Sequence, residues 1–124
     1  MTVQVLCVGG PDVEIRSGDV LQAIGDEMER QLGLWGEQHH PDGSGDDEFK
    51  LMADEAKELT DRSFSAGTGT WAHILTEEFL EALAESDPEK IYEELVQVAA
   101  VASSWARDIN TRPRNADTNS SEVV

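Results

Sequence analysis

Four stretches of this chain place apolar residues three and four positions apart, and each is bounded by residues that start or stop helices. The first, Val20, Leu21, Ile24, Met28 and Leu32, follows Ser17, a ready N-cap, and runs to Gly33. In the second, Phe49, Met52, Ala53, Ala56 and Leu59 share one side, while Lys50, Asp54, Lys57 and Asp61 fall on the other. Gly67-Thr68-Gly69-Thr70 then breaks the chain, Thr70 is able to cap, and a third helix is expected from Trp71 to about Glu85. Asp87-Pro88 opens the fourth, because Asp accepts from free amides and Pro is tolerated at the first helical position; it should reach about Ile109. A chain patterned in this way is mainly α, and a four-helix bundle is the natural expectation.

The two ends read differently. Residues 2–15, TVQVLCVGGPDVEI, place β-branched residues on both sides of Gly9-Gly10-Pro11-Asp12, which predicts a short N-terminal β-hairpin within residues 1–16. The last stretch, TRPRNADTNSSEVV, is polar, contains Pro113 and lacks periodicity, so residues 111–124 read as a disordered tail. At 124 residues the chain suits a single domain, 1–110, able to fold without disulfides or a structural metal. Cys7, the single cysteine, reads as a buried thiol in a reducing compartment. No basic leader precedes an apolar stretch, and no apolar run nears the roughly 18 to 20 residues needed to cross a bilayer. A cytoplasmic, unanchored protein is expected.

Nine basic residues face 26 acidic ones, and a net charge of −17 argues against an extended contact with nucleic acid or an anionic membrane. A polyanionic substrate would reach such a surface only with divalent cations between the two. The placement of certain carboxylates matters more than their number. On a helical wheel, Trp71, Ile74, Leu75, Phe79, Ala82 and Leu83 define the buried arc of the third helix. Glu78 falls inside that arc, and Glu81 lies at its edge, one turn on. Ile91, Leu95, Val98, Val101, Ala102 and Trp105 define the arc of the fourth helix, with Glu94 inside and Gln97 at the edge. The short connection at Ser86-Asp87 makes these helices antiparallel neighbours, so Glu78, Glu81, Glu94 and Gln97 should converge. An ordinary solvated, Glu-rich surface is the alternative. Converging carboxylates repel unless protons or cations lie between them, and an all-oxygen set suits Mg²⁺ or Mn²⁺ rather than zinc.

The pattern Glu77-Glu78-x-x-Glu81, a short connection, then Glu94-x-x-Gln97 resembles the EExxE…ExxD signature of the MazG-like all-α nucleoside triphosphate pyrophosphohydrolases. The segment TWAHILTEEFLEALAESDPEKIYEELVQVAAVASSW, residues 70–105, carries the resemblance, which covers residues 71–106 well. It extends more loosely to WGEQHHPDG and the helix before it, which are similar to small phage and actinobacterial members of the group. The resemblance implies a homodimer or homotetramer that hydrolyses an NTP or dNTP to its monophosphate and pyrophosphate. It gives Mg²⁺ ligation to Glu78, Glu81 and Glu94, with Mn²⁺ as a substitute, and catalytic handling of the attacking water to Glu77 and Glu78. Gln97 stands at the fourth ligand position, where the signature has Asp; its amide can ligate but supplies no charge and no base.

Substrate contacts are more open. Trp35 either anchors the end of the first helix or offers a face to a base, and His39 or His40 either is solvated or donates to that base. Lys50, Lys57 and Arg62, or Asn110, Arg112 and Arg114, are the cations and amide available to phosphates. The only further imidazole, His73, is not at zinc-ligand spacing. There is no Walker loop, G-x-S-x-G or Cys/His nucleophile pair. Two other readings stand beside the hydrolase: an acidic helical interaction protein whose glutamates form a charge display, and an inactive homologue that binds nucleotide without turnover.

Overall fold

The structure is a computed structural model that describes the backbone of residues 11–113 and the side chains of residues 19–113. Four helices account for most of it: α1 (Pro11–Trp35), α2 (Asp47–Ser65), α3 (Trp71–Ala84) and α4 (Pro88–Thr111). Among the described residues there is no strand. No helix there is long and apolar enough to cross a membrane. The chain divides into two compact units, Trp35–Trp105 and Met1–Leu34 with Ala106–Val124.

The expected hairpin is corrected. Its second arm, Val13–Ile15, lies in the first turns of α1, and Ser17, expected to cap that helix, lies inside it. Pro11-Asp12 is the source of the misreading, since a proline followed by an acidic residue suits the first turn of a helix as well as it suits a β-turn. The first arm and the tail beyond Pro113 lie outside the described residues. Within α1, Glu27 accepts two bonds from the Arg30 guanidinium, at 2.9 and 2.7 Å, and one from Gln31. Val20 is buried, whereas Leu21, Ile24, Met28 and Leu32, expected on a buried face, are exposed.

In the larger unit, α2 and α3 pack antiparallel. The Gly45 amide donates to the Leu83 carbonyl at one end (2.8 Å), and Thr60 Oγ1 donates to the His73 carbonyl at the other (3.2 Å). The buried residues of α2 are small, Ala53, Thr60 and Ser63, and those of α3 are Leu80 and Ala82. Small side chains let two helices approach closely, and the buried Thr60 hydroxyl is satisfied by the carbonyl it meets. Gly67, at φ 80°, makes the turn that ends α2, and its amide donates to the Phe64 carbonyl.

Thr70 caps α3 as expected, but its partner is unusual. Its hydroxyl accepts from the His73 amide (3.2 Å), and the Thr70 amide donates back to His73 Nδ1 (3.1 Å). Histidine thus does what Glu or Gln does in the familiar reciprocal cap. At the next corner, the Glu85 carboxylate accepts from the amides of Ser86 and Asp87, and Asp87 accepts from Glu89, starting α4 where Asp87-Pro88 predicts it. The indoles of Trp71 and Trp105 stack with centroids 6.5 Å apart and planes 8° from parallel, tying the start of α3 to the far part of α4.

Candidate metal centre

The glutamates that broke the helical patterns meet. Glu78, Glu81 and Glu94 each offer a carboxylate oxygen to one spot, and these atoms all lie within 4.8 Å of one another. All three residues are half-buried. One oxygen each of Glu78 and Glu94 is removed from solvent and has no hydrogen-bond partner. Such atoms are costly to bury without a donor or cation, so orphaned oxygens on two of the three carboxylates that meet favour a proton or a cation among them.

Protonation behaviour follows from the same geometry. Burial, and then the charges of Glu94 and Glu77, push the Glu78 carboxyl above its ordinary range. Glu81 is pushed up to about 7 by burial first, then by the charges of Glu78, Glu77 and Glu94, and by a hydrogen bond with Glu77. A shared proton and a divalent cation are the two ways of relieving such repulsion. The donors are hard oxygens, which fit Mg²⁺ or Mn²⁺. Gln97 lies one turn beyond Glu94 on α4 and is exposed. Glu77 is half-buried beside Glu81.

The other expected site residues are more scattered in role. Trp35 ends α1 and is 60% exposed, so it does not serve as a core anchor. His39 and His40 are exposed in the following loop, where His40 Nε2 lies 3.0 Å from Gln38 Oε1. Lys50 and Lys57 pair along their own helix with Asp47 (3.8 Å) and Asp61 (3.5 Å). Arg62 is exposed in the last turn of α2. Arg112 pairs with Asp108, Asn110 is half-buried, and Arg114 lies outside the described residues. The structure therefore gathers the acidic ligands and does not draw the candidate cations to them by any of these pairs.

Two features escaped the sequence reading. Gly45, at φ 88°, packs so tightly on the α3–α4 corner that a Cβ there would lie 2.7 Å from Ser86 Cβ. This contact and the bond to Leu83 hold the end of the Gly-rich loop two residues beyond Glu81. Ser63 Oγ also lies 3.5 Å from His73 Nε2, a pairing that superficially looks nucleophilic. It is not, because the Thr70 amide donates to Nδ1, which leaves the ring proton on Nε2 facing the serine. A base with its proton on the wrong nitrogen cannot activate that hydroxyl, and His73 is a cap.

No protein-family model, curated protein or solved structure matches the chain. The case for a function therefore rests on the glutamate geometry and on the motif that supplies it.

Proposed function

We propose that this protein is a Mg²⁺-dependent pyrophosphohydrolase of nucleoside triphosphates, releasing the monophosphate and pyrophosphate, in an all-α bundle of the MazG-like kind and in a cytoplasmic setting. The observation that carries the reading is the convergence of Glu78, Glu81 and Glu94, with two buried oxygens lacking a partner. Glu78, Glu81 and Glu94 would hold the ion, with the Gln97 amide within the same two turns of α4. A divalent ion bound there supplies charge neutralisation for the triphosphate and lowers the pKa of water.

The chain's own groups account for the remaining roles. Glu77, hydrogen-bonded to Glu81, orients and accepts the proton of the attacking water, and Glu81, its carboxyl pushed up to about 7, can hold or release a proton beside it near neutral pH. The orphaned oxygens of Glu78 and Glu94 are held in place by the α3–α4 pairing, so little rearrangement accompanies ligand capture. Exposed Trp35 and His40 are the base contacts in this reading, and Lys57 and Arg62 the phosphate contacts.

Gln97 favours one variation. With an uncharged amide where the signature has a carboxylate, the site binds the metal–nucleotide complex and turns it over slowly or not at all. One experiment separates the readings: product analysis with a panel of NTPs and dNTPs in Mg²⁺ and in Mn²⁺, on wild type and Glu78→Gln, alongside calorimetric nucleotide binding. Pyrophosphate release that is lost in Glu78→Gln supports the hydrolase. Metal-dependent binding without product supports the inactive homologue, and neither binding nor product in either protein sinks both in favour of an acidic interaction protein.

A further inference from the structure

Eleven aspartates occur in this chain, and Asp42 alone is followed by glycine; none of the three asparagines is. The pair matters because a peptide nitrogen can attack the side-chain carboxyl of the residue before it, and glycine is the residue that shields its own nitrogen least. A fold suppresses that attack where it ties the amide into a hydrogen bond. Asp26, Asp54 and Asp61 lie within helices, whose ladders take up the amide that follows. Asp87 precedes Pro88, which has no amide hydrogen to lose.

None of these restraints acts at Asp42. Asp42 and Gly43 are both exposed, in the loop between α1 and α2. Gly43 sits at φ 72°, in the left-handed region that favours glycine, and a Cβ built on it would meet nothing within 4 Å. Among the described residues the Gly43 amide donates to no carbonyl, and the Asp42 carboxylate accepts no hydrogen bond and joins no ion pair. Two residues beyond Gly43 the chain is fastened again, because the Gly45 amide donates to the Leu83 carbonyl at 2.8 Å and Gly45 packs on Ser86.

We propose that Asp42-Gly43 is a site of spontaneous covalent modification, at which the folded chain isomerises to isoaspartate. The Gly43 nitrogen bonds to Cγ of the protonated Asp42 side chain, and the carboxyl hydroxyl and the amide hydrogen leave together as water, which closes a five-membered succinimide. Water then opens the ring. Addition at the former side-chain carbonyl restores Asp42, whereas addition at the main-chain carbonyl breaks the original peptide bond and leaves the chain running through Cβ and Cγ. One water leaves and one enters, so the mass is unchanged and no oxidant or reductant takes part. The product has one more methylene in its main chain, three residues before Gly45, whose seat on Ser86 has no room to spare. The change therefore bears on the corner between α3 and α4. This modification stands independently of the pyrophosphohydrolase reading.

The test uses the full chain, held at physiological temperature and neutral pH. Isoaspartate is counted by methyl transfer from labelled S-adenosylmethionine with an isoaspartate-specific carboxyl methyltransferase. It is placed by electron-transfer fragmentation of the tryptic peptide of residues 31–50. Position 42 should gain isoaspartate at least tenfold faster than position 46 in the same peptide, and at a rate within tenfold of the free synthetic peptide. Asp42→Glu, which would have to close a six-membered ring, should lose the signal. A folded chain that isomerises more than tenfold slower than the free peptide would overturn the proposal, because the fold would then be shielding the pair. Equal accumulation at positions 42 and 46 would overturn it as well. The comparison with the free peptide decides the matter even if Asp42→Glu does not fold.

Discussion

Replacing Glu81 with Gln should stabilise the metal-free protein at alkaline pH, by an amount set by the glutamate cluster. The rise of the Glu81 carboxyl from an ordinary 4.5 to about 7 corresponds to about 3 kcal/mol between the two protonation states. Because the group is only half-buried, solvent screening reduces this to about 1 to 2 kcal/mol. The sign follows from the direction of the shift. A carboxyl with a raised folded-state pKa contributes stability that is complete below its unfolded value, and that contribution is lost as pH climbs through the folded value near 7. Wild type in EDTA should therefore lose stability between about pH 5 and pH 8, and Glu81→Gln should lose much less. At roughly 3–6 °C of melting temperature per kcal/mol, between the values for smaller and larger domains, the variant should melt roughly 3–12 °C above wild type at pH 8. At pH 5.5 the gap should be half of that or less. Saturating Mg²⁺ should reverse the order, since an ion at a hundred times its Kd adds ~2.7 kcal/mol to the protein that binds it. Melts followed by circular dichroism at the two pH values, with EDTA and with Mg²⁺, supply every comparison. A Gln variant that is less stable than wild type at pH 8 in EDTA, or a gap that ignores pH, would refute the electrostatic account.

Three further outcomes are expected. Gln97→Asp restores a charge to α4 beside the cluster and should tighten Mn²⁺ binding about tenfold by calorimetry, with a matching gain in pyrophosphate release; unchanged affinity would remove Gln97 from the ligand set. His73→Ala deletes the reciprocal partner of Thr70 and should cost about 1 kcal/mol in urea melts, whereas His73→Gln, which keeps an acceptor, should recover part of it. Gly45→Ala forces a side chain into a left-handed backbone and against Ser86, and a loss of about 1–3 kcal/mol in the same melts is expected; a neutral result would mean that the corner gives way.

The helices of the larger unit were legible in the sequence because apolar spacing and punctuation agree there. Thr70, Asp87-Pro88 and the Gly67 turn each sit where a helix starts or stops. The glutamates were legible for the opposite reason, since Glu78 and Glu94 sit where the apolar spacing calls for a hydrophobic side chain. Less visible was which apolar residues are covered. Leu95 and Ala102 share a wheel arc with Val98 and Val101, and Phe79 shares one with Leu75, yet all three are exposed. A wide apolar arc does not say how many neighbours it serves, and on α4 it is two adjacent stripes. His73 was invisible as a cap because an imidazole does not announce itself at a position usually filled by Glu or Gln. The Pro11-Asp12 turn was misread because local chemistry there is shared by two structures, and only the residues after it decide between them.

The stacked indoles have a mechanical side. Trp71 and Glu78 are separated by two turns of α3, about 10 Å, and α3 and α4 are joined by the chain at Glu85–Asp87, so the three like charges sit in a span closed at one end by the covalent corner and at the other by the stacked indoles. Repulsion among the carboxylates is therefore resisted from both sides, and the tryptophan pair is the end of that span that no covalent bond holds.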